Sequence, residues 1–143
     1  MSKDWFADIS DMHDHYGFTE RFAALDEEKR AACLKFRADF IREELRELYA
    51  DIDSPEDVVD ALIDICVVAI GTLHAFGIDG HRAWDEVHRA NMAKETGVKE
   101  SRPNPLGLPD LVKPIDFVSP SHMGNHGRLP TIKTSMGDQS NKI

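Results

Sequence analysis

Cysteine, proline, aromatic residues and positive charge are all in short supply in this chain, and each shortage excludes something. The 143 residues hold two cysteines, Cys33 and Cys66, with neither CxxC spacing nor companion histidines. That excludes a disulfide framework and a zinc site, and the two read as buried thiols in a reducing compartment. Aromatic residues make up 8% against 30% charged ones. This balance fits a one-domain helical globule and excludes disorder of the chain as a whole. Basic residues number 17 against 26 acidic ones, for a formal charge of -9. The deficit is local, since residues 1–60 carry 17 of the acids but only 8 of the bases. Such a surface repels a polynucleotide and an anionic membrane, and it admits a small anionic ligand only together with divalent cations. The longest apolar stretch, Ala61 to Ile78, contains Asp64 and His74, which argues against a membrane span. Met1 to Trp5 shows no apolar leader core, so the expected compartment is the cytoplasm.

What the chain does have is helical periodicity. Trp5, Phe6, Ile9, Met12 and Tyr16 fall at helical spacing before Gly17, which predicts a short amphipathic helix acting as a lid or strap. A long helix is expected from an N-cap at Asp26 to about Ala50, with Leu34, Ala38, Ile41, Leu45 and Leu48 as its apolar stripe. Ser54-Pro55-Glu56-Asp57 supplies an N-cap, a proline at N1 and first-turn acids for a second helix to about residue 76. That helix is apolar nearly all round and has to be central. Asp79 caps a third, which runs to about Glu95 before Gly97 stops it. The connections are short, so neighbouring helices should be antiparallel.

The texture then changes, because six of the seven prolines lie beyond residue 102. The expected division is a helical domain over residues 1–100 and an irregular Pro- and Gly-rich tail over 101–143. The tail should lie extended against the body or a partner subunit as far as about residue 120, with disorder from about His122.

Three sets of residues can carry chemistry. Glu43, Glu44 and Glu47 form EExxE on the first long helix, where Glu44 and Glu47 share one flank and can share a cation. A solvated acidic face with Arg42 and Arg46 produces the same pattern. Asp60 and Asp64 sit four apart on the apolar helix, and Asp64 lies more than two turns in. An unpaired carboxylate there is costly, so it needs a metal or an arginine. Antiparallel packing turns the two acidic sets toward each other, and crowded carboxylates call for a hard divalent cation, magnesium by default. On the third helix His88, Asn91 and Lys94 form a polar strip able to hold a phosphate, although Lys94 is also an ordinary last-turn cation. His74 and His81 have no evident partners.

Read together, Glu43-Glu44-Leu45-Arg46-Glu47, Asp60-Ala61-Leu62-Ile63-Asp64, Gly71-Thr72, Phe76-Gly77-Ile78-Asp79 and Glu86-Val87-His88-Arg89-Ala90-Asn91-Met92-Ala93-Lys94 resemble the MazG-like, all-α nucleoside triphosphate pyrophosphohydrolase superfamily, over about residues 30–96. That superfamily also includes phosphoribosyl-ATP pyrophosphohydrolases and dimeric dUTPases. The tail from Arg102 is similar to that of phage-borne members. The resemblance implies an all-α antiparallel bundle completed by homo-oligomerisation, as a homodimer or homotetramer. It implies magnesium, with manganese able to substitute, held by Glu44, Glu47 and Asp64. The superfamily's remaining acid would fall at Ala61, which cannot bind metal, so Asp60 is the candidate to take part of that role. Glu43 becomes the candidate for positioning or deprotonating water, and Asn91 and Lys94 for binding substrate. The activity implied is hydrolysis of a (d)NTP between the α- and β-phosphates to (d)NMP and pyrophosphate. A phosphoribosyl-ATP or dUTP-specific hydrolase, and a non-catalytic helical module that lost a ligand at Ala61, are the alternatives.

Overall fold

A computed structural model describes residues 1–102 and 105–131. Five helices follow in order: α1 Trp5–His15, α2 Phe18–Ala23, α3 Glu27–Ala50, α4 Pro55–Ala75 and α5 Gly80–Met92. Among the described residues the fold is all-α apart from one two-residue antiparallel ladder, β1 Glu95–Thr96 with β2 Leu111–Val112.

Local chemistry sets the helix starts. The carboxylates of Asp4, Asp26 and Asp79 accept the backbone N–H groups of Ala7, Lys29 and Arg82 at 3.0, 2.8 and 3.0 Å, satisfying donors that have no partner within the helix. Ser54 stands at the N-cap of α4 but makes no side-chain bond there, so Pro55 carries that start. Gly17, at φ 70°, ends α1 and opens α2, a helix the sequence reading did not anticipate. Its six residues are too few to show a period.

The long pair α3 and α4 forms the body and is antiparallel, since Arg37 lies over Gly71 while Glu44 lies near Asp64. The core sits at one end of this pair, where Phe22, Ala75 and Phe76 are buried and Phe18, Leu25, Cys33, Leu34, Ile78 and Leu129 pack around them. The rings of Phe22 and Phe76 meet edge to face at 5.1 Å. Cys33 and Cys66 are free, as expected, but half-buried rather than buried.

Two expectations change. The packed face of α3 is rotated from the predicted stripe: Leu34, Ile41 and Leu48 are half-buried, but Ala38 and Leu45 are exposed, and Arg37 and Glu44 take places on the inner face. Small residues of α4 explain this, because Ala61 and Gly71 are buried and leave room for longer side chains opposite. The tail also differs. Residues 122–131, expected to be disordered, are docked on the turn between α4 and α5. The Asn125 amide accepts from Asp79 N–H at 2.8 Å and donates to the Asp79 carbonyl at 2.9 Å, and Arg128 N–H donates to the Phe76 carbonyl at 2.7 Å. These bonds replace regular structure in anchoring a Gly-rich segment. Residues 103, 104 and 132–143 of the expected tail lie outside the described residues.

By length and composition α4 is apolar enough to cross a membrane. It instead packs against α3 and α1 on one side and leaves Val59, Leu62 and Ile63 uncovered on another. On α5, Trp84, Val87 and Met92 are uncovered as well.

Candidate active site

Arg37 and Glu44 stand seven apart on α3, and Gly71 and Asp64 seven apart on α4, so each pair shares a face two turns apart. The seam between the helices therefore carries two polar clusters, one of carboxylates and one of imidazole and guanidinium.

At the carboxylate end Glu44 is half-buried, and its Oε2 is enclosed with no hydrogen-bond partner. Its carboxyl is pushed above the usual carboxylate range, first by burial and then by the negative charges of Glu47, Asp64 and Glu43. Of the four acids expected to meet, Glu44, Glu47, Asp60 and Asp64, three lie within electrostatic reach of one another, Glu44, Glu47 and Asp64, and Glu43 acts on Glu44 where Asp60 was expected. Asp64 is half-buried, and Glu43 and Glu47 are exposed. Asp60 is exposed and is not among the acids acting on Glu44. Ala61 is buried at 7% exposure, so a packed methyl group stands where another acid would help.

Among the described residues no group of three or more His, Cys, Asp or Glu side chains is drawn together tightly enough to cage a metal ion. The donor set nonetheless fits a hard divalent cation. All its members are carboxylates, one oxygen is buried without a donor, and their mutual repulsion is relieved by positive charge.

Asn91 and Lys94 lie at the far end of α5. Asn91 is exposed, Lys94 half-buried, and the Lys94 ammonium donates to Asn91 Oδ1 at 3.1 Å. Helix α5 touches α4 only sparsely, and among the described residues neither Asn91 nor Lys94 forms a hydrogen bond or ion pair with the carboxylates of α3 and α4. His88 is exposed on the same helix.

The other cluster was not legible. His13 of α1 is buried at 4% exposure, and its Nδ1 shares a 2.7 Å hydrogen bond with Nδ1 of His74 on α4. One imidazole donates and the other accepts, so both are satisfied when neutral. The Arg37 guanidinium lies beside them, 5.0 Å above the Phe18 ring. Burial, then the charges of His74 and Arg37, lower the His13 imidazole to about 4. His81 has a partner too: its Nε2 stands 3.1 Å from the Asp4 carboxylate that caps α1. Histidines give no periodic signal, and these partners lie 61 and 77 residues away in sequence.

The model of the phosphoribosyl-ATP pyrophosphohydrolase family matches residues 12–91. No curated protein and no solved structure matches the chain. The matched segment runs from the end of α1 through the whole α3–α4 seam to Asn91, more than half of the chain, and enzymes of the family use a divalent metal to hydrolyse phosphoanhydride bonds. The chain therefore belongs to the phosphoribosyl-ATP pyrophosphohydrolase family, within the MazG-like all-α NTP pyrophosphohydrolase superfamily.

Proposed function

We propose that this chain is a magnesium-dependent pyrophosphohydrolase that cleaves a (d)NTP between the α- and β-phosphates, releasing a (d)NMP and pyrophosphate. One observation carries the reading: the half-buried Glu44 carboxylate is crowded by the charges of three other acids, with one enclosed oxygen left without a donor. A protein gains nothing in stability from that arrangement, and a cation resolves it.

Glu44, Glu47 and Asp64 are the residues that would hold the metal, with Asp60 as an outlying contributor. When bound, magnesium supplies charge neutralisation at the phosphate oxygens and on the leaving pyrophosphate. Glu43 projects from the same turn of α3 and is free to hold a water and accept its proton as that water attacks the α-phosphorus in line. Asn91 and Lys94 orient the substrate through a neutral amide and a charged donor.

The site is completed by a second copy of the chain. The apolar faces left open on α4 and α5 are what a helical homo-oligomer covers, and α5 touches its own chain's α4 only sparsely. A homodimer or homotetramer in the cytoplasm follows from this reading.

A second substrate, phosphoribosyl-ATP, is favoured by the family match itself. Pyrophosphate release from a panel of NTPs, dNTPs and phosphoribosyl-ATP, with magnesium and with a chelator, separates the two. Metal-dependent release from one or a few triphosphates is the expected result. Release from phosphoribosyl-ATP alone selects the second reading, and silence from a folded sample removes both.

A further inference from the structure

Two ammonium groups approach the same aromatic ring where the chain leaves the helical domain. The ladder pairs Glu95 with Val112 and Thr96 with Leu111, and an antiparallel register continued by one residue sets Lys113 across from Lys94. The side chains agree with that register, because Lys94 Nζ lies 6.0 Å and Lys113 Nζ 5.4 Å from the centroid of the same ring, Phe117. The pairing is built in firmly. Gly97 N–H donates to the Asp110 carbonyl at 3.0 Å, and a Cβ on Gly97 would come within 2.7 Å of a Val112 methyl carbon.

Like charges set opposite one another on paired strands repel. Here no carboxylate relieves them: among the described residues neither lysine forms an ion pair, and the one hydrogen bond from Lys94 goes to a neutral amide. The C-terminal end of α5 favours one cation, which accounts for Lys94. The face of Phe117 attracts both ammonium groups but neutralises neither. A second uncompensated cation, held in place by backbone pairing in a chain with net charge -9, is what an anion carrying two or more charges would select.

We propose that Lys113 joins Lys94 in a phosphate-binding pair, making the strap over residues 111–118 part of the substrate site, with the polyphosphate chain of a nucleotide as its ligand. This inference rests on the proposed hydrolase reading for its substrate and for Lys94, but Lys113 lies outside the family segment, which ends at residue 91. Lys113 is exposed and accessible. It binds and orients, and takes no part in bond breaking.

The test uses the full chain with magnesium and two readouts: the Kd for inorganic pyrophosphate by calorimetry, and KM and kcat on whichever nucleotide is turned over. Lys113→Gln should weaken pyrophosphate binding about tenfold and raise KM by a similar factor with kcat within about twofold, as expected for one lost charge-assisted contact. Lys113→Arg should restore both to near the original values, and Lys29→Ala, at the start of α3, should change neither. Binding and KM unmoved in Lys113→Gln overturn the proposal. So does an equal loss in the Gln and Arg variants, which would report damage to the strap and not the missing charge. If no nucleotide is turned over, the hydrolase reading fails while the calorimetry still decides: charge-dependent binding of pyrophosphate supports the pair, and no binding by the unsubstituted protein overturns it.

Discussion

The two polar clusters on the α3–α4 seam are built from the same pair of helices two turns apart, yet they are in opposite states. At one end His13 and His74 complete a 2.7 Å hydrogen bond within the chain, and both partners are content when neutral. At the other, Glu44 is crowded by Glu47, Asp64 and Glu43 and keeps a buried oxygen without a donor. A polar group that satisfies itself inside a fold holds elements together, whereas one left unsatisfied is kept for something that arrives from outside. Burial alone does not distinguish them, since His13 is the more buried of the two; partner accounting does.

The sharpest way to break that contrast is to remove charge from the carboxylate end. Glu47→Gln or Asp64→Asn should lower turnover by about 10²- to 10³-fold, the scale on which loss of transition-state charge stabilisation shows itself. Far-ultraviolet circular dichroism should be unchanged. Glu44→Gln should do the same to activity while raising the Tm of the metal-free protein, because it deletes the charge that burial and its neighbours oppose. Asp60→Asn, on an exposed carboxylate that does not act on Glu44, should have the smallest effect of the four. Full activity in both Glu47→Gln and Asp64→Asn would sink the assignment, and an Asp60 effect equal to that of Asp64 would move the centre of the site toward the start of α4.

The sequence reveals one of these clusters and hides the other for a physical reason. Carboxylates inside Ala61-Leu62-Ile63-Asp64-Ile65-Cys66 stand out because charge interrupts an apolar run, and helical spacing then says which face they share. The helices α3 and α4 were legible from their caps and breaks to within a residue, and the start of α5 likewise, but α5 ends at Met92, three residues short of the expected Glu95, which pairs in β1 instead. What stayed hidden depends on contacts between distant segments: the rotation of α3 that turns Arg37 inward, the pairing of His13 with His74, and the clamp of Asn125 on Asp79. No local pattern encodes a partner 46 or 61 residues away. The short α2 was missed because six residues cannot show a period.

The histidine cluster makes a pH-dependent claim of its own. Its folded state holds the His13 imidazole at about 4, below its unfolded value near 6.5, so the unfolded chain binds the extra proton first as pH falls. The stability tied to His13 is therefore present above about pH 6.5 and is lost as pH drops toward 4, roughly 2 to 3 kcal/mol once some solvent screening is allowed. Urea unfolding at pH 7.5, 5 and 4 should show that loss, with rather more than half of it reached by pH 5. His13→Phe should flatten the dependence by removing the titrating group. A variant that keeps the full slope would assign it to another group and cost the cluster its role in fixing α1 to α4.

Gly71 gives the smallest and finest test. Alanine in a helix interior is favoured over glycine by about 1 kcal/mol, so with open space above it Gly71→Ala would stabilise α4. The space is not open: a Cβ would stand 3.1 Å from Arg37 Nη1, 3.3 Å from His13 Nε2 and 3.5 Å from His13 Cε1. The guanidinium is the end of a flexible chain and can withdraw. The imidazole is tied to His74 and packed at a tilt against Phe18, ring centroids 4.3 Å apart, so it cannot yield without losing those contacts. Crowding of this kind costs about 1 to 3 kcal/mol, and the expected balance is a net loss near 1 kcal/mol. A double-mutant cycle with Arg37→Ala separates the two neighbours. If the substitution stays destabilising after Arg37 is truncated, the pinned histidine is what resists; if it then turns stabilising, the guanidinium was the obstacle, and the histidine pair is looser than its hydrogen bond implies.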